Sequence, residues 1–477
     1  FDIIDKQDVY DEYQIRQKGE FKKPAVLKIY LYELILKSLQ GYHSNSSIGS
    51  ALKNFLQQLA VLFEKRLYKQ CKKIIDKAKK MAEENEEFLA LYELLDWERN
   101  VLYYYLENPI VRKKYNAIPS AQLSALEKQQ NVTALRQLIN DLTKISEHNT
   151  FVRDKEKKES LNKLLSHPLL SHPDKALTFR SKITYYTIHR LYHFLTGNIN
   201  QGLEQCKNWA ALFELKENLM YLKEIKYQRL YCNALDKLNS YQALLGKENE
   251  FNTTFGKLNV FLEKNPELKQ NYFLTKYVNR SILIYTTGNF HETPLCITDF
   301  EAERSLSDEW KGEIIQADLL VLYFNFAYLC VGNGDFKNAL YWLNNVLNDS
   351  STKGFREDLY CTARIINLII HYELRNDELL EPLIRSTHRY LLQRKQMYKF
   401  EDTILKFMRT QLPKVSSHSE LIEAFKGLHK ELVIVSKDPF ERRFLDGFDF
   451  ISWVESKIEN RPFAEIVRSR HRTDSAF

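Results

Sequence analysis

The sequence predicts an all-α protein, an α-solenoid in which antiparallel helical hairpins stack into a superhelix. Three observations carry this expectation. Glycine (14) and proline (11) are scarce in 477 residues, which favours long helices over the frequent turns of a β-rich fold. Hydrophobic residues make up 44% of the chain and include 28 Tyr and 28 Phe, enough for a continuous interlocked core. Paired helical patterns recur at about 40–46 residues between the turns at Gly288, Gly334 and Asn376, a period typical of stacked two-helix units.

Residues 1–20 read as a short helix with a charged surface. Pro24 opens a helix expected to end at Gly41, followed by the polar link GYHSNSSIGS. Ser50 is expected to cap the helix ALKNFLQQLAVLFEKR. The next helix, LYKQCKKIIDKAKKMAEE, puts Cys71, Ile75 and Ala78 on one face and lysines around them; a solvated face accounts for such lysines. Residues 84–107 give another helix, stopped by Pro109, and Pro119-Ser120 starts a long one reaching about Ile145. Residues 148–175 are weakly patterned, and two His-Pro dipeptides hold His167 and His172 extended, so an irregular break is expected there.

Hairpins return at Ala176. One turns at Gly197-Asn198, the next spans about 216–263, and a third turns at Gly288-Asn289-Phe290. The clearest pair runs from Ala317 to Asn348. Its first helix, to Val331, is apolar almost all round and is expected to be buried on more than one side. Gly334 stops it in a left-handed conformation, and Asp335 caps the next helix by accepting from free backbone N–H groups. There Ala339, Trp342, Leu343, Val346 and Leu347 form one apolar face. Such a hairpin cannot cover its own apolar face and needs neighbours. A further pair turns near Asn376-Asp377. The tail is helical, with Asp438-Pro439 as a helix start and polar residues at its end. The expected organisation is N-terminal hairpins over 1–165, a repeat array over 176–400, and a C-terminal cap and tail over 401–477.

The pair LYFNFAYLCVGNGDFKNALYWLNNVL resembles a tetratricopeptide repeat. It has aromatic Tyr323 early in its first helix, small Ala327 midway, the Gly334-Asp335-Phe336 turn, and Ala339, Leu343 and Val346 in its second helix. The hairpins around Gly288 and Gly197 keep the turn, although Thr293 stands where the family has alanine. The copy around Asn376 lacks the turn glycine, and the periods exceed the family's usual length. As a whole the chain is also similar to large bacterial helical-repeat proteins of uncharacterised role. The resemblance implies a concave groove, lined by the first helices, that receives a peptide or partner helix. Asn279, Asn325 and Asn367 match the asparagine that such repeats place on the inner helix. Ile282, Tyr285, Phe324, Tyr328, Ile366 and Ile370 are expected on the same face, giving an apolar floor with a line of amides. The competing reading puts these asparagines inside the stack, bonded to helix termini or adjacent side chains.

Chemistry-bearing motifs are missing from the sequence. Gly332-Asn-Gly334 lacks the strand and the Lys-Ser/Thr of a phosphate loop, and neither a GxSxG elbow nor an HExxH pair occurs. His189 and His193 have metal-capable spacing but no intervening base and no evident third ligand. No cofactor, metal or catalytic residue is therefore assigned. The six cysteines are far apart, form no CxxC pair and read as reduced core residues of a cytoplasmic protein. The net charge of +7 is mild, with 62 acidic against 69 basic residues. Nucleic-acid binding, through basic faces at 65–80, 389–399 and 468–472, is disfavoured. No apolar run reaches the ~18–20 residues that cross a bilayer, so membrane insertion is not expected. The opening FDIIDKQDVYDEY is no signal peptide, and without an initiator Met further N-terminal sequence is expected. The function that follows is a non-enzymatic scaffold binding an unidentified protein or peptide on its concave face, with homo-oligomerisation compatible. The alternative is a ligand- or peptide-sensing repeat region of a larger bacterial regulator.

Overall fold

The computed structural model describes residues 24–43, 47–146, 155–305, 316–349, 357–393, 397–438, 441 and 447–474. Among these the protein is all-α, and no strand occurs. The chain forms two compact units, 1–132 and 133–477. The expected helix at 1–20 lies outside the described residues.

The first unit holds α1 (Pro24–His43), α2 (Ile48–Glu64), α3 (Tyr68–Glu84), α4 (Phe88–Leu102) and much of α5 (Pro109–Ser146). Helices α2, α3 and α4 pack on one another around Leu52, Leu59, Cys71, Ile75, Ala78 and Leu94. Three details differ from the sequence reading. Helix α1 runs past Gly41 to His43. Ser47 rather than Ser50 caps α2, its hydroxyl accepting from the Ser50 backbone N–H at 3.2 Å. Pro119 lies inside α5 rather than at its start. Pro109 holds the first helical position instead, where a missing N–H is harmless. Burial of Ile118, Gln122 and Ala125 around Pro119 offsets the ~3 kcal/mol that an interior proline costs.

The second unit opens with the rest of α5, and the described part of the expected break, 155–175, is only partly irregular. Residues 155–165 form α6, and Pro168–Leu170 and Pro173–Lys175 form two 3₁₀ turns. His167 and His172 are extended, as an X-Pro bond demands, and each ring accepts from a backbone N–H at the start of its own turn. Hairpins follow: α7 (Phe179–Thr196) with α8 (Ile199–Glu214), α9 (Ile225–Leu244) with α10 (Glu248–Lys264), α11 (Lys269–Thr287) with α12 (Thr293–Ser305), α13 (Gln316–Gly332) with α14 (Phe336–Leu347), and α15 (Glu357–Glu373) with α16 (Asp377–Leu392). Thr178 caps α7 through its hydroxyl. Gly197, Gly288 and Gly334 all take positive φ at hairpin turns, and Asp335 accepts from the Asn338 N–H to start α14.

Neighbouring helices pack in order, and the first helices α9, α11, α13 and α15 also touch one another in succession. They form a layer of their own. Hydrogen bonds between members of that layer recur at nearly fixed sequence separations: Tyr272 to the Arg229 carbonyl and Asn279 to Asp236 at 43 residues, and Asn325 to Ser281 at 44. Helix α13 is buried nearly all round, as its apolar sequence requires. The tail comprises α17 (Lys399–Lys406), a π-helical turn at Phe407–Gln411, α18 (His418–Val435), α19 (Phe450–Glu459) and α20 (Phe463–Asp474). Its Phe448, Phe450, Trp453 and Val454 belong to the same core as α11, α13 and α15.

Candidate functional site

The layer of first helices carries the residues that the sequence singles out. Asn279 sits on α11, Asn325 on α13 and Asn367 on α15, with 4%, 6% and 8% of their surfaces exposed. Phe324, Tyr328, Ile366 and Ile370 are buried, while Ile282 and Tyr285 are half-buried. The structure thus gathers these side chains into core and interhelical packing. The Tyr285 and Tyr328 rings stack at 4.7 Å.

The amides are engaged within the layer, and unequally. Asn279 Nδ2 donates to Asp236 Oδ1 at 3.0 Å, and its Oδ1 accepts from the Ser240 hydroxyl at 2.8 Å. Asp236 is 2% exposed, and Lys237 Nζ lies 2.9 Å from its other oxygen. The carboxylate thereby gains a charge-assisted partner on each side, which a buried charge requires. Asn325 Nδ2 donates to the Ser281 hydroxyl at 2.9 Å. Asn367 Oδ1 is buried without a hydrogen-bond partner. Asp236, Ser240 and Ser281 were missed in the sequence; their signal is that each polar pair spans 39–44 residues, one hairpin apart.

The tail lies over part of this face. Tyr328 packs its ring on Phe448 at 4.7 Å, and its hydroxyl accepts from the Asp449 N–H at 3.1 Å. Phe463 packs on Phe290 at the α11–α12 turn. Arg468 donates to the Gly288 carbonyl, and Trp453 Nε1 donates to Glu373 at the end of α15. The chain's own C-terminal residues therefore pack against Tyr328 and the Gly288 turn. The physical reason is the apolar content of 447–467. Phe448 and Phe463 need a surface, and Tyr328 of the layer and Phe290 at the α11–α12 turn offer them aromatic partners at 4.7 and 5.6 Å.

Burial shifts several titratable groups. All six cysteines are free and buried. Burial pushes the thiols of Cys206, Cys232, Cys296 and Cys330 up to about 12, which suppresses the nucleophilic thiolate. Desolvation lowers the pKa of both His189 and His193. His189 Nε2 lies 3.1 Å from the Leu170 carbonyl, which gives that nitrogen the proton. Among the described residues no group of three or more His, Cys, Asp or Glu side chains is placed to hold a metal. No helix among them is long and apolar enough to cross a membrane.

Helix α1 exposes a run of large apolar side chains. Val26, Ile29, Tyr30, Tyr32, Leu34, Ile35, Leu36 and Leu39 are 40–64% exposed, and none of its described side chains joins a buried cluster. These positions cover more than one side of the helix, whereas an all-round apolar helix is ordinarily buried. No protein-family model, curated protein or solved structure matches this chain.

Proposed function

We propose that the chain is a non-enzymatic helical-repeat scaffold, a solenoid of tetratricopeptide-like hairpins, that holds a protein or peptide partner. The ordered packing of α9, α11, α13 and α15, with hydrogen bonds repeating at 43–44 residues, supports the repeat reading. The observation that carries the binding reading is α1, whose eight large apolar side chains stand in water. Contiguous exposed apolar surface marks interaction sites in folded proteins. In this reading the layer around Asn325 stabilises the stack, and the partner covers α1. Burial of each such side chain against a partner contributes roughly 1.5–3 kcal/mol before the costs of association.

The test compares the full chain with the variant Ile29→Asp/Tyr32→Asp/Leu36→Asp, each used to capture cross-linked proteins from the native host. The expected result is at least one protein held by the natural sequence and lost by the variant, with far-UV spectra superimposable. Capture of the same set by both would overturn the reading.

A further inference from the structure

The second unit carries a cation-lined pocket that neither the asparagine layer nor the apolar surface of α1 explains. Its volume is about 440 Å³, and it is lined by Arg385, His388, Arg389, Leu392, Gln393 and Arg409. No carboxylate is among these residues. Arg385, His388, Arg389 and Leu392 lie at i, i+3, i+4 and i+7 on α16, one helical stripe, and Gln393 is its C-cap. The opposite stripe, Leu380, Ile384, Thr387 and Leu391, is buried, which fixes the cationic stripe outward. Arg409 arrives from the π-helical turn at Phe407–Gln411, where Phe407 and Met408 are anchored in the core. Such turns recur at functional sites because they re-aim a side chain.

Ordinary helix electrostatics explains only part of this. Arg389 lies in the last turn of α16, where a cation offsets the helix dipole. That accounts for neither Arg385 one turn earlier nor Arg409 from another element. Arg385 pairs with Glu381 at 2.8 Å, but both side chains are exposed and such a pair is weak and exchangeable. The guanidinium groups of Arg389 and Arg409 have no hydrogen-bond or ion-pair partner among the described residues. Converging guanidinium groups repel one another, and an anion between them relieves that repulsion.

We propose that this pocket binds a phosphoryl group carried by a small ligand. A carboxylate neutralises one cation, whereas a phosphate dianion neutralises two and offers three acceptor oxygens to forked N–H donors. The His388 ring and the Gln393 amide add further donors, and Leu392 supplies an apolar wall for the rest of the ligand. The volume lies within the range of small-ligand sites.

The experiment is calorimetric titration of the full chain with pyrophosphate, total ionic strength held constant with sodium chloride. Saturable binding at one site per chain is expected, weakened at least tenfold in Arg389→Gln/Arg409→Gln. The control Lys69→Gln/Lys72→Gln on α3 should bind as the natural sequence does. Both variants alter exposed side chains, and superimposable melting curves check that they fold. No saturable binding to the natural sequence, or equal weakening by the control, overturns the proposal. A single-stranded oligonucleotide bound more than tenfold tighter than pyrophosphate also overturns it, in favour of nucleic acid. Two further arms locate the phosphoryl group. Retention on phosphatidylcholine vesicles containing phosphatidylinositol phosphate supports a lipid headgroup source; binding of free inositol phosphate without vesicle retention supports a soluble one.

Discussion

Asn279 Nδ2 and Asp236 Oδ1 meet at 3.0 Å across two helices that are 43 residues apart in sequence. The bond joins the first helix of one hairpin to the first helix of the hairpin before it, and both residues are buried. It neutralises part of the cost of a carboxylate that is 2% exposed, so its loss leaves a buried charge short of a partner.

The three matched asparagines should therefore differ in their contribution to stability. Asn279→Ala removes bonds to Asp236 and Ser240 and is expected to cost about 2–3 kcal/mol. Asn325→Ala removes one neutral bond to Ser281, about 1 kcal/mol. Asn367→Ala removes an acceptor that has no partner and should cost about 0.5 kcal/mol or less. Urea unfolding followed by circular dichroism measures all three. Equal losses would contradict this ordering.

This series also shows where sequence reading stopped. Helices, hairpin turns and the Asp335 cap were legible because they are local: Gly334 takes φ +76°, and Asp335 bonds the Asn338 N–H three residues on. The motif marked Asn279, Asn325 and Asn367 as equivalent positions, and all three do lie on successive first helices. What the side chains touch was not legible, since Asp236 and Ser281 are brought to them by stacking. The placement of the tail was hidden for the same reason. Phe448 meets Tyr328, 120 residues earlier in the chain, and no periodicity encodes that pairing. Pro119 shows the opposite failure, a strong local signal overridden by packing along α5.

Trp453 tests the tail as a structural cap. It is 1% exposed, lies edge-on to Phe425 and Tyr372, and donates to Glu373. Trp453→Ala is expected to cost about 3–5 kcal/mol, with Glu373 left short of a donor. Hydrogen exchange should then quicken in α13 and α15 as well as in α19. Faster exchange confined to α19 and α20 would show that the cap does not support the layer.

The pH dependence of stability follows from burial. Cys206, Cys232, Cys296 and Cys330 rise from 9.0 to about 12 in the folded chain because burial disfavours the thiolate. An unfolded chain loses these protons first as pH rises, so this stability is complete below about pH 9 and is lost progressively toward pH 12. His189, His193 and His371 are lowered by desolvation, so the unfolded chain takes up these protons first as pH falls. Their contribution is present above pH 6.5 and declines below it. Thermal midpoints should be highest between these limits. A thiol reagent at pH 8 should label the native chain slowly and all six cysteines once urea unfolds it. Rapid labelling of the native chain would place a thiol at the surface.

Gly332 and Gly334 lie in one turn but should respond to alanine by different mechanisms. Gly334 has φ +76° and open space around it, so Gly334→Ala costs only the left-handed conformation, about 1–2 kcal/mol. A Cβ on Gly332 would instead overlap the Phe290 ring of the preceding hairpin. That ring is 1% exposed and is held by Phe463 at 5.6 Å and Tyr328 at 6.1 Å, so it has little room to retreat. Overpacking at such a site costs about 1–3 kcal/mol or more, and it is paid between hairpins rather than within one. The two substitutions are separated by Phe290→Leu, a smaller side chain at the point of overlap. In a double-mutant cycle Phe290→Leu should partly rescue Gly332→Ala and leave Gly334→Ala unchanged. Additivity of Phe290→Leu with Gly332→Ala would mean that the close approach of α13 to the α11–α12 turn is not what requires glycine at 332.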